Sequence, residues 1–234
     1  MAHFETVQSG VLIASVYTGF EPFVFSRGGE LVGADVDILR GFCSLHGLAL
    51  SLRPRDTFNG LWLDPALEEV DIAASGIARF TERVDPHIAW SNSYYEVSRS
   101  ILIRQASAQR LKTIEDFATH TIGFVSGSTA DLDSRARAPE FTHFRAVRDQ
   151  QDGMHQLANG NIDGLAMGSP SNTFNTHQQQ GFVLIDIHSF VQDEGLRFPL
   201  NAHNQELLSA LNQYLAAGKA SGAFETLFQR WLSQ

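Results

Sequence analysis

The chain has 234 residues, enough for one large domain or two small ones, with an ordinary apolar content and 18% charged residues. Acidic residues outnumber basic ones, 26 against 17, for a formal net charge of −9, and such a surface repels phosphate backbones, so nucleic acid is not an expected partner. No apolar run approaches the ~18–20 residues needed to span a bilayer, so membrane insertion is not expected either.

The first residues, "MAHFETVQSG", lack a positive n-region and an apolar h-region. Two compartments follow: the chain is cytoplasmic, or it is a mature product whose leader has been removed. "GVLIASV" is a short β-rich run, and the turn region "YTGFEPF" follows it. Gly28-Gly29 in "SRGGELVG" predicts a hairpin. "ADVDILRGFCSLHG" has apolar residues at Val36, Leu39, Phe42 and Cys43 with Gly47 at its end, which is helical spacing with a glycine stop. Cys43, the one cysteine, is expected as a small core residue and forms no internal disulfide. "LALSLRPR" alternates as a half-buried strand, "FNGLWLDPALEEV" reads as a helix, and "DIAASGI" as the next strand. Strand, helix, strand, helix, strand is the grammar of a parallel α/β sheet.

A second pass of the same grammar begins with the strand "SRSILIR". Thr113 with Asp116 three residues on resembles a capping box. "TIGFV" is a strand that enters the Gly/Ser/Thr turn of "SGSTADLDSRA", which opens a helix. "RDQQDGMHQLANG" is helical, "IDGLAM" and "FVLIDI" are strands, and the last thirty residues form two helices broken near Gly218–Gly222. The two halves meet near Tyr95–Ser98, where "YYEVSRS" suits a stiff hinge better than a flexible tether.

Three constellations carry chemistry. If "DIAASGI" is a parallel strand, its carboxyl end faces the crevice where α/β folds bind ligands. Ser75 and the amides of Gly76 and Ala78 sit there, and "RFTERVD" is expected to start a short helix that adds positive potential. Arg83 can then grip a carboxylate with two parallel hydrogen bonds. The plain alternative is a surface arginine, but Arg79 and Arg83 at i, i+4 would repel each other on such a face. Ser128 and Thr129 occupy the equivalent strand-to-helix turn of the second half, as an anion contact or as an ordinary N-cap. Tyr17, Phe20 and Phe58 lie in turns at strand ends, where aromatics wall pockets or pack a core. Nucleophile, phosphate-loop and metal-ligand motifs are not found in the sequence, and the nine histidines are scattered.

In this order, "GVLIAS", "FEPFVF", "GELVGADVDIL", "FNGLWLDPALEEVDIAASGI", "TER", "WSNSYY", "TIGFVSGSTA", "LANGNIDGLAM" and "GAFETLFQRW" resemble the periplasmic-type solute-binding proteins of the polar amino acid class, over about Gly10 to Trp231. The resemblance implies an α/β, two-lobed, periplasmic-binding-protein-like (type II) fold that closes on a ligand about two hinge strands. Lobe 1 would comprise 1–95 plus 196–234, and lobe 2 would comprise 96–195. The resemblance further implies a monomeric binding protein, periplasmic or extracellular, without cofactor or metal, that serves an ABC transporter permease. Arg83 would be the carboxylate-binding arginine, with Ser75 and the amide of Ala78 completing the grip. Ser128 and Thr129 would reach the same carboxylate, and Phe20 and Phe58, with Tyr17, would enclose the ligand.

Two departures stand out. Ala78 replaces the family's usual Ser or Thr, so a hydroxyl contact is lost. Gly168 stands where the family usually has the acid that holds the ligand's α-amino group, and Asp163 lies five residues too early to replace it. A buried ammonium without counter-charge costs several kcal/mol. The expected ligand is therefore a small carboxylate that is not a standard α-amino acid, unless Glu21, Asp131 or Glu96 reaches the amine. Two other readings share the scaffold. One is a sensory or degenerate binding domain. The other is a dehydratase-like enzyme, for which "MGSPSNTF" offers no general-acid carboxylate.

Overall fold

The computed structural model describes residues 4–80, 83–187 and 195–234. Two compact units divide the chain: Met1–Glu96 with Asp193–Trp231, and Val97–Gln192 with Leu232–Gln234.

The first unit, lobe 1, is built on a five-stranded sheet in the order Ala49–Arg55, Val11–Tyr17, Ile72–Ala74, Pro199–Asn201, Ile88–Trp90. The first three strands are parallel, and Pro199–Asn201 runs antiparallel to both of its neighbours. The helix Ala34–His46 buries Val36, Leu39, Phe42 and Cys43, and Gly47 ends it in the left-handed conformation at φ 70°. Phe42, Tyr94, Phe198 and Phe228 have almost no exposure, and each such side chain contributes about 1.5–3 kcal/mol of burial. Gly19–Phe20, Val24–Arg27 and Glu30–Val32 form a small antiparallel sheet around the expected hairpin. Tyr95–Glu96 pairs antiparallel with Gly195–Leu196 where the chain leaves and re-enters the lobe.

Two expected helices of lobe 1 are absent. "FNGLWLDPALEEV" forms a 3₁₀ segment over Leu61–Leu67, with Gly60 and Glu68 in left-handed conformations at its ends and Pro65 inside it. A proline removes a helical donor and crowds the preceding turn, which accounts for the tighter, shorter form. "RFTERVD" is not helical at its described residues, and Thr81 and Glu82 lie outside them. Ala78 is extended and bridges to Leu196, and Arg83 N–H donates to the Phe80 carbonyl at 2.9 Å. The described residues of this segment therefore supply no helical dipole beside Arg83.

Lobe 2 repeats the plan. Its sheet runs His143–Val147, Thr121–Val125, Gly164–Gly168, Arg99–Arg104, Phe182–Ile187, with the first three strands parallel and Arg99–Arg104 antiparallel to both neighbours. Ile101, Ile103, Phe117, Ile122 and Ile185 centre its core. Asp116 accepts the N–H groups of Lys112 and Thr113 ahead of a 3₁₀ turn at Ile114–Phe117. Helices follow at Thr129–Arg137, Gln150–Ala158 and Ser169–Gln178.

Candidate functional site

In lobe 1 the site grows from the carboxyl ends of two neighbouring parallel strands. Val11–Tyr17 delivers Tyr17 and, one turn later, Phe20; Phe58 follows the Ala49–Arg55 strand. The three rings form one cluster, with centroids 4.7 Å apart for Phe20 and Phe58, 5.3 Å for Tyr17 and Phe20, and 5.9 Å for Tyr17 and Phe58. Arg83 joins them, its guanidinium carbon 5.5 Å from the Phe58 centroid, close enough for a cation–π attraction. Its Nη1 donates to the Ala78 carbonyl at 2.6 Å, which pins the side chain beside the extended segment at Ala78. Arg83 is 5% exposed whereas Arg79 is exposed, so these two arginines do not share a solvated face.

Ser75 and Gly76 take a different part from the expected one. The Ser75 hydroxyl accepts the Tyr17 N–H at 2.9 Å and donates to the Tyr17 carbonyl at 2.8 Å. The N–H groups of Ser75 and Gly76 both donate to one oxygen of Asp35, at 2.9 and 2.8 Å. Tyr94 donates its hydroxyl to the other Asp35 oxygen at 2.7 Å. The hydroxyl and both amides thus hold the turn in shape. Gly76 is required there, since its φ is 62° and a Cβ would lie 2.7 Å from the Phe23 ring. Burial lifts the Asp35 carboxyl to about 6, against the pull of the Gly76, Tyr94 and Ser75 hydrogen bonds. The sequence reading missed Asp35 because "DVDI" fits an amphipathic helix, and its partners lie 40, 41 and 59 residues away.

In lobe 2, Ser128 caps the Thr129–Arg137 helix by accepting the Asp131 N–H at 3.1 Å, and Thr129 is its first, half-buried residue. Asp131 accepts the Gly127 N–H at 3.0 Å and pairs with Arg135 Nε at 2.7 Å. Gly168 ends its strand and precedes the helix Ser169–Gln178, whose Pro170 stands in the first turn. Of the acids considered for an amine, Asp131 is engaged in its own turn. Glu96 accepts the Ser93 hydroxyl and lies 3.6 Å from Lys219. Asp163 accepts the Thr121 N–H and pairs with Arg104. Glu21 is 6% exposed and follows Phe20 directly.

A separate groove on lobe 1, lined by Glu5, Glu68, Asp71, His203 and Glu206, holds none of the expected residues. Among the described residues, no group of three or more His, Cys, Asp or Glu is placed to hold a metal ion. No helix among them is long and apolar enough to cross a membrane.

Comparison with known proteins agrees with this architecture. The chain is 26% identical over 227 residues to the ABC transporter arginine-binding protein 1 of Escherichia coli, covering 95% of this chain and 89% of that protein. It is 22% identical to the arginine-binding extracellular protein ArtP of Bacillus subtilis, covering 95% and 86%. Both are binding proteins rather than enzymes. An amino acid ABC transporter substrate-binding protein from Streptococcus pneumoniae, solved with L-arginine, superposes with a TM-score of 0.89 at 19% identity, covering 97% of this chain and 95% of that one. Its likeness is one of fold: two α/β lobes on one chain. With the sheet plan repeated in both lobes and the family's pattern matching residues 12–234, the chain belongs to the bacterial extracellular solute-binding proteins, family 3.

Proposed function

We propose that this protein captures a small, carboxylate-bearing, amino-acid-like solute that lacks a standard α-ammonium group, and hands it to the permease of an ABC transporter, acting as a monomer in the periplasm or outside the cell. It performs no chemistry on the ligand. The observation that carries the reading is Arg83: a guanidinium 5% exposed, set against Phe58 and fixed by the Ala78 carbonyl, in one cluster with Tyr17 and Phe20. A planar two-pronged cation beside aromatic walls suits a carboxylate with an apolar body. Ser128 and Thr129 are the candidate contacts from lobe 2. Gly168 and the internal engagement of Asp131 and Glu96 support the absence of an amine partner at those positions, which leaves Glu21, among the described residues, as the one acid beside the aromatic cluster.

The test is isothermal titration with a panel of carboxylates and of arginine, histidine and cystine. Simple carboxylates are expected to bind at micromolar levels or better, and Arg83→Ala to weaken them roughly 100-fold, the scale of a lost charge-assisted pair. Tight arginine binding would reverse the statement about the amine, and an Arg83→Ala protein of unchanged affinity would remove the carboxylate reading.

A further inference from the structure

One turn of lobe 1 is held in a backbone conformation that its sequence does not favour. Ser75 has φ 138°, a region that residues with a Cβ rarely adopt, and Gly76 follows at φ 62°. Such a conformation is costly and persists only where its surroundings impose it. Asp35 imposes it here. One carboxylate oxygen accepts the N–H groups of both Ser75 and Gly76, at 2.9 and 2.8 Å, and the other accepts the Tyr94 hydroxyl at 2.7 Å. Two branches run from this turn to Arg83. In the first, the Ser75 hydroxyl brackets Tyr17, accepting its N–H and donating to its carbonyl. The Tyr17 ring meets Phe20 and Phe58, and Phe58 faces the Arg83 guanidinium. In the second, the Ala78 carbonyl, three residues beyond Ser75, accepts Arg83 Nη1. Every member of both branches belongs to lobe 1.

We propose that Asp35 is a positioning residue of the capture site: its ionised carboxylate holds the Ser75–Gly76 turn, and through it Tyr17 and Arg83, in the arrangement that takes the solute. This rests on the carboxylate-capture reading above and adds a regulation to it, a weaker grip in acid. Hydrogen bonds to an ionised acceptor are roughly twice as strong as those to a neutral one. Protonation therefore weakens all three bonds to Asp35, and a proton on the oxygen facing Tyr94 also forces the phenol to turn from donor to acceptor. The strained turn then relaxes, and Tyr17, bonded to Ser75 through both of its backbone groups, moves with it. The groups that act on the Asp35 carboxyl are the Gly76 and Ser75 amides and the Tyr94 phenol, the last being the one titratable group among the described residues that meets it. Burial sets its proton equilibrium at about 6, within reach of ordinary changes of acidity.

Isothermal titration of 2-hydroxypentanoate and of L-arginine into the purified protein, between pH 5 and 7.5, tests the assignment. Both probes keep their charge across that range, and the second makes the result independent of the statement about the amine. With capture confined to the ionised form, the competent fraction at pH 5 is about one tenth, so affinity is expected to fall about tenfold from pH 7.5 to pH 5. Asp35→Asn mimics the neutral acid and is expected to bind about tenfold more weakly than the parent at pH 7.5, with a flat profile down to pH 5. Tyr94→Phe removes a bond that favours the charged carboxylate, so the midpoint of its profile is expected at higher pH than the parent's. A parent profile flat between pH 5 and 7.5 overturns the proposal and leaves carboxylate capture standing. Asp35→Asn that binds like the parent at pH 7.5, or that keeps the parent's pH dependence, also overturns it. Should Asp35→Asn not fold, an unmoved midpoint in Tyr94→Phe overturns it in its place. Failure of both probes to bind below millimolar at every pH overturns carboxylate capture and the proposal together.

Discussion

Each lobe places an aspartate in the first turn of the helix that follows one of its parallel strands, and the two aspartates keep opposite company. Asp131 in lobe 2 is local: it accepts Gly127 N–H four residues back and pairs with Arg135 four residues on. Asp35 in lobe 1 is fully buried, is contacted by two backbone N–H groups and a phenol, and ties its helix to the Ser75–Gly76 turn and to Tyr94. One carboxylate tunes a turn. The other fastens three distant segments with neutral donors, whose hydrogen bonds offset only part of the desolvation, so its affinity for a proton rises. First-turn aspartates of corresponding helices thus yield a local turn contact in one lobe and a structural pin in the other.

The largest break in that contrast is Asp35→Ala. It leaves two amides and the Tyr94 hydroxyl buried without acceptors, at a cost of about 4 kcal/mol, whereas Asp131→Ala should cost about 1 kcal/mol; urea unfolding of the two variants compares them. A pH series is next. A buried acid raised from 3.8 to about 6 favours the protonated native form, so its contribution is complete below about pH 4 and is lost as pH rises through about 6. The loss is about 3 kcal/mol. Asp71 and Asp133, both raised by burial, act in the same direction. Asp35→Asn keeps the acceptor and the shape without the charge, and a stability curve as steep between pH 4 and 7 as the parent's would refute this account of Asp35. Ser75→Ala removes both Tyr17 backbone partners and is expected to cost about 2 kcal/mol, read from the urea midpoint. On a par with Asp131→Ala, and smallest of the set with it, is Ser128→Ala, the loss of one N-cap, about 1 kcal/mol in thermal unfolding. A Ser75→Ala effect smaller than the Ser128→Ala effect would erase the distinction between pin and cap.

What was legible in the sequence followed local periodicity. The Ala34–His46 helix with its glycine stop, the Ser128 turn, and the runs at Val11–Tyr17, Thr121–Val125 and Phe182–Ile187 all announce themselves within a dozen residues. The helix Ser169–Gln178 does not, because "SPSNTFNTHQ" buries Ser171, Asn172 and Asn175 in place of an apolar stripe, and Asn172 is spent on Ser100 and the Leu165 carbonyl. Proximity of Arg83 to Phe58, Phe20 and Tyr17 follows from strand-end placement together with the family resemblance. Asp35 is not legible in the sequence, since the amides and the hydroxyl it holds lie 40, 41 and 59 positions away.

The single thiol has a practical side. Cys43 is 3% exposed, and burial, with the nearby Asp71, pushes it up to about 11, so at neutral pH it is hidden and almost wholly protonated. A cysteine introduced at Val84, which is 73% exposed and adjacent to Arg83, would then be the one site that a maleimide dye reaches without protecting anything else. The native chain is in this sense already blank, and a fluorophore carried there would report on ligand capture from beside the anchoring arginine.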